Sequence, residues 1–133
     1  MTRVDDFTAS LPETIPAGLG GRTSLASVLL MAHDAHRFPP YRWTPVDTAD
    51  RLLRRDAQPE AAGARYEYLL ELLDDLIERS ERFEPHAELS DRLEAQSALW
   101  YVTPGTPLAR WDESTAAAYL AFFNGAVSPV DAA

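Results

Sequence analysis

The chain has 133 residues, 46% hydrophobic and 25% charged, with a net charge of −9 and no cysteine. That length supports one domain with a real core, and the missing thiols exclude disulfide scaffolds, thiolate metal sites and cysteine catalysis. All twelve basic residues are arginine, and the acidic balance argues against wrapping nucleic acid, where phosphate neutralisation dominates affinity.

No apolar run approaches the roughly 18–20 residues that cross a bilayer. Residues 1–11 are too polar for a secretory signal, and a cytoplasmic location is expected. The charge is segregated. Six arginines face three aspartates between Arg22 and Arg55, whereas eleven acidic residues face four arginines between Glu60 and Glu94. The two segments should attract each other or meet different partners.

Residues 1–22 read as a lead-in: a short helical turn around Val4, Phe7 and Leu11, then a loop broken by Pro12, Pro16, Gly18, Gly20 and Gly21. No strand precedes Gly18-Leu19-Gly20-Gly21 and no lysine follows, so it is not a phosphate loop. The first full helix is expected from a Thr23 or Ser24 cap to about His33. Leu25, Val28, Leu29 and Ala32 form one face, widened by Leu30 and Met31, which makes this helix the expected buried hub. Pro39 and Pro40 end it, and Phe38 before a proline is extended. Tyr41, Arg42 and Trp43 make a stiff aromatic turn, either a clamp between helices or a surface that a partner reads.

Thr44-Pro45 opens a second helix to about Arg55, with Arg51, Arg54 and Arg55 at its C-terminus. The longest helix is predicted over Glu60–Phe83. Tyr66, Leu69, Leu70, Leu73, Leu76 and Ile77 form an apolar stripe, opposite an acidic face of Glu67, Glu71, Asp74, Asp75, Glu78 and Glu81. Pro85 ends it. A fourth helix spans about Ala87–Trp100, with Leu89, Leu93, Gln96 and Trp100 in line and Ser90 as cap if it starts late. Gln96 and Ser97 read as a structural polar pair in the core, Gln96 needing a hydrogen-bond partner. A fifth helix is capped by Asp112, stapled by Trp111 and stopped at Gly125. The expected architecture is all-α, a single domain of about five helices in an irregular bundle over residues 23–125, with a tail at 126–133.

Candidate chemistry is sparse. His33, Asp34 and His36 have metal-ligand spacing only if the helix continues past Ala35, and a third ligand falls to His86 or a distant carboxylate. The acidic face of the long helix reads as solvated, since it carries no Glu-x-x-His motif. Nothing around Ser97 makes a nucleophile elbow. No cofactor and no catalytic residue is expected. Arg37, Arg42, Arg51, Arg54 and Arg55, interleaved with Phe38, Tyr41 and Trp43, form the candidate interaction segment for a protein or, alternatively, nucleic acid.

Three ordered blocks carry a family resemblance. Ser27-Val28-Leu29-Leu30-Met31-Ala32-His33-Asp34 with Arg37-Phe38-Pro39-Pro40-Tyr41-Arg42, then Tyr66–Glu78, then Asp91-Arg92-Leu93-Glu94-Ala95-Gln96-Ser97-Ala98-Leu99-Trp100 resemble a segment ahead of the AAA+ motor in McrB-like bacterial ATPases of methylation-dependent restriction systems. Trp111–Gly125 resembles its closing helix, so the likeness covers about residues 11–125. The chain has no Walker A lysine motif, so ATP hydrolysis is not implied. The resemblance implies a non-catalytic interaction or linker module with an AAA+ partner. A nucleic-acid-binding adaptor is the first alternative, and a small enzyme or metal protein the second.

Overall fold

The long helix organises the packing. In the computed structural model, which describes residues 2–15, 20–53, 55, 57–82, 89–103, 110 and 112–123, it runs Ala62–Ser80 and buries Tyr66, Leu69, Leu70, Leu72, Leu73 and Leu76. Those positions recur at three- and four-residue spacings, so one side of the helix is continuously apolar. Glu67, Glu71, Asp74, Asp75, Glu78 and Glu81 on the other side are exposed, as the sequence pattern requires.

Six helices occur among the described residues, with no strand: α1 (Thr2–Ala9), α2 (Gly21–His33), α3 (Trp43–Leu53), α4 (Ala62–Ser80), α5 (Arg92–Val102) and α6 (Glu113–Phe123). The protein is all-α. α4 packs against α1, α2, α5 and α6, and α3 against α5 and α6. The lead-in holds a full helix where a turn was expected. α1 buries Val4, and Asp5 Oδ1 accepts the Gly63 N–H at 2.7 Å. The α4 N-cap, Ala61, has no side-chain acceptor of its own, so a carboxylate from α1 satisfies one of the free donors at this terminus. A Cβ at Gly63 would lie 2.5 Å from that carboxylate, which is why glycine stands there.

α2 departs most from expectation. It starts at Gly21 with Gly20 as N-cap, not at Thr23 or Ser24. Gly20 has φ 70°, and a Cβ there would meet the Tyr41 ring at 2.5 Å, so both conformation and space demand glycine. The buried residues of α2 are Thr23, Ala26 and Ser27, and Leu30 packs on the core edge. Leu25, Val28 and Leu29 are 37%, 45% and 54% exposed. The helix is therefore not an apolar hub: it turns its small and polar side inward.

α5 begins at Arg92 rather than near Ala87. Asp91 is its N-cap, accepting the Glu94 N–H at 2.9 Å, and the Glu94 carboxylate accepts the Ser90 N–H at 2.9 Å. These two bonds, a variant of the capping box in which Glu94 reaches the residue before the N-cap, fix the helix start. Its inward residues are Ala95, Gln96, Leu99 and Val102. Leu89 and Trp100, expected on the buried line, pack at the core margin. Asp112 caps α6 as predicted, accepting the Thr115 N–H at 3.0 Å. Trp111, Gly125 and the 126–133 tail lie outside the described residues.

Two substitutions separate this arrangement from the hub reading. Gly20→Ala should cost more than about 1 kcal/mol, whereas Leu29→Ala on the exposed face should stay within about 0.5 kcal/mol. Urea unfolding of both variants decides it, and the reverse order would contradict the packing described.

Candidate functional site

The stiff turn is a strap whose Pro39, Pro40 and Tyr41 backbone groups are held by side chains. Two successive prolines donate no N–H, and an extended segment makes no internal hydrogen bonds, so its carbonyls need outside donors. Tyr66 of α4 donates its hydroxyl to Pro39 O at 2.9 Å, and Gln96 Nε2 of α5 donates to Pro40 O. The Tyr41 N–H donates to Ser27 Oγ at 2.7 Å, and Ser24 Oγ returns a bond to Tyr41 O at 3.1 Å. The Tyr41 hydroxyl donates to Gln58 Oε1 at 2.5 Å. Burial pushes both the Tyr41 and Tyr66 hydroxyls well above their ordinary pKa, so both remain donors.

At its centre the strap faces the core. Tyr41 is 1% exposed and cannot be read by a partner. The remaining candidate residues are spread out. Arg37 is exposed and lies over the Phe38 ring, 5.2 Å from its centroid. Half-buried Trp43 is covered by Arg65 at 5.4 Å. Arg55 lies over Tyr68 at 4.9 Å, and that tyrosine donates to buried Asp50 at 2.6 Å. Arg42 is exposed. Exposed Arg51 reaches Glu113 at 3.6 Å, a surface pair of little energetic weight. Arg54 lies outside the described residues. Among the described residues of the segment, Tyr41 sits in the core and the Phe38 and Trp43 rings each lie against an arginine.

Gln96 is buried with a partner, as expected. Ser97 is a correction: it is exposed and bonds back to Leu93 O at 2.9 Å. Part of the brace on the acidic helix comes from α5. Asp74 takes a two-pronged contact from Arg92 at 2.7 and 2.6 Å, and Arg92 also donates to Arg37 O at 3.1 Å. One guanidinium therefore ties α4, α5 and the strap entrance together.

The histidine cluster resolves into structural pieces. Asp34 Oδ1 accepts the N–H groups of His36 and Arg37 at 3.1 and 3.2 Å, closing the turn after α2. His36 Nδ1 pairs with Asp91 Oδ2 at 2.6 Å. His33 is exposed on the last turn of α2, and His86 lies outside the described residues. Among the described residues no three His, Asp or Glu side chains form a metal-binding group.

What the sequence reading missed is the outer face of α2. Leu25, Val28, Leu29 and Ala32 stand at i, i+3, i+4 and i+7 and all are exposed. A stripe of large apolar side chains on a rigid helix is what an interaction surface presents. The signal was available: Thr23, Ala26, Ser27 and Leu30 have the same spacing, and two serines opposite a proline-locked strap are the hydrogen-bonding side.

Tyr41→Ala should cost about 3–5 kcal/mol, as for other buried aromatic truncations, and Arg42→Ala less than about 0.5 kcal/mol, read by denaturant unfolding. The His36–Asp91 pair adds a pH signature. The hydrogen bond to Asp91, then its charge, raises the His36 pKa above 6.5. That contribution is complete below the unfolded value and is lost as pH rises through the folded one. The Asp91 pKa is lowered, chiefly by the Glu94 N–H and then by His36, so its share disappears as pH falls through the acid range. Unfolding midpoints of the native chain and His36→Asn should therefore differ most in mildly acidic buffer and converge on the alkaline side. A gap independent of pH would contradict this.

No protein family, curated protein or solved structure matches the chain.

Proposed function

We propose that this chain is a non-catalytic helical interaction module that docks through the outer face of α2 onto a neighbouring domain or subunit. The observation that carries the reading is the exposure of Leu25, Val28 and Leu29 on one side of a helix whose other side is pinned. Leu25, Val28 and Leu29 are 37–54% exposed, so burying what remains supplies roughly 0.7–1.4 kcal/mol each before the costs of association. The resemblance of residues 27–42, 66–78 and 91–100 to the segment ahead of McrB-like motors suggests the partner: an AAA+ ATPase of a bacterial defence or restriction system, in the cytoplasm.

A nucleic-acid adaptor is the competing reading. It would rely on Arg37 and Arg42 for phosphate contacts, with Tyr41 unavailable for stacking and a net charge of −9 opposing.

The deciding experiment is pull-down and analytical ultracentrifugation with a McrB-like ATPase. The native chain should associate. Val28→Glu with Leu29→Glu should abolish association with little loss of Tm, since about half of each side chain is already in water. Failure of the native chain to bind would remove the reading. DNA binding that weakens steeply with salt, in the absence of ATPase binding, would replace it with the adaptor.

A further inference from the structure

The outer face of α2 fits itself. Leu25, Val28, Leu29 and Ala32 are all exposed, and their spacing reads the same from either end: three residues, one, then three. A two-fold axis between Val28 and Leu29 therefore carries the stripe onto itself with the helix direction reversed. Across that axis Leu25 of one copy lies against Ala32 of the other, and Val28 against Leu29. A large side chain meets a small one at each end, so the two helices can approach closely. The inner side of α2 is already pinned by Ser24 and Ser27, so the stripe is presented without rearrangement.

Charge points to the same occupant. The chain carries −9, so two copies repel wherever their carboxylates meet. α2 is the one helix among those described that contains no Asp or Glu. Two copies can meet there without setting acid against acid. The helix ends are complementary as well. The α2 N-terminus receives no side-chain hydrogen bond from its N-cap, Gly20. The exposed Asp34 carboxylate stands at the C-terminal end, where its own helix dipole disfavours it. An antiparallel pair sets Asp34 of each copy near the N-terminus of the other, and a parallel pair does not.

We infer that the outer face of α2 is covered by the same face of a second copy of this chain, antiparallel, about a two-fold axis between Val28 and Leu29. This rests on the reading of that face as a docking surface and names an occupant for it. Size sets its strength. α2 has 13 residues, which is about 20 Å of helix. One such face on each copy falls well short of the roughly 1,200–2,000 Å² that stable complexes bury. The dimer is therefore weak and exchanges readily for a larger partner.

Analytical ultracentrifugation of the full chain from about 10 µM to about 1 mM should show a mass that rises toward that of a dimer. Val28→Glu with Leu29→Glu should stay monomeric throughout. Because the sequence has no cysteine, disulfide trapping reads the register directly. Like positions at the ends of the stripe are about 10 Å apart along the paired axes, whereas a disulfide needs Cα atoms within about 7 Å. Under mild oxidation, Leu25→Cys mixed with Ala32→Cys should therefore give at least about tenfold more covalent dimer than either variant alone. Three results overturn the inference: a monomer even at about 1 mM, a dimer that survives Val28→Glu with Leu29→Glu, or equal trapping in the mixture and in either variant alone. The two readings of this face fail separately. A chain that stays monomeric and binds the ATPase loses only the second copy, and a dimer in this register without ATPase binding loses only the ATPase.

Discussion

The backbone of Pro39, Pro40 and Tyr41 is the constraint from which much of the packing follows. A proline pair cannot join a helix or a sheet ladder, yet here it is buried, so its carbonyls require donors from elsewhere. Tyr66, Gln96 and Ser24 supply those donors and Ser27 accepts the Tyr41 N–H, from three different helices. Each bond fixes a rotation. Tyr66 and Gln96 point their polar ends at the strap, which sets the faces that α4 and α5 present to the core. Ser24 and Ser27 set the roll of α2. Gly20 completes the arrangement by leaving room for the Tyr41 ring.

The roll of α2 explains where the sequence was readable and where it was not. α4 was legible because its apolar and acidic residues segregate cleanly, so hydrophobicity alone orients it. The Asp112 cap and the need of Gln96 for a partner were legible for local reasons. α2 is apolar nearly all round, and on such a helix hydrophobicity does not choose a side. Hydrogen bonding chooses, through a strap 14 residues away from Ser27, and only the placement of the polar residues Thr23, Ser24 and Ser27, not the hydrophobic pattern, records that. α1 was underestimated for a related reason: part of its tie to the core is a carboxylate reaching 58 residues along the chain to Gly63.

The arginines belong to the same account. A chain without lysine uses its guanidiniums as braces. Arg22 gathers the carbonyls after α1, Arg65 joins Pro59 to Trp43, and Arg92 joins Asp74 to the strap entrance. A planar fork can hold two or three acceptors at once, where an ammonium acts as a point charge. Segregation of charge along the sequence is therefore a poor guide to partners here. Several arginines of the basic segment and its surroundings are engaged with backbone and rings, and on the acidic face of α4 Asp74 and Glu78 pair with Arg92 and Arg82.

These constraints bear directly on binding. An exposed apolar side chain contributes little to a complex if its helix must first be ordered. α2 has no such cost, because Ser24, Ser27 and Ala26 lock its inner side against the strap and α4. Leu25, Val28 and Leu29 are held in a fixed array by bonds made on the opposite side of the same helix. The interactions that make the fold polar at its centre are thus the ones that leave it apolar, and rigid, at one place on its surface.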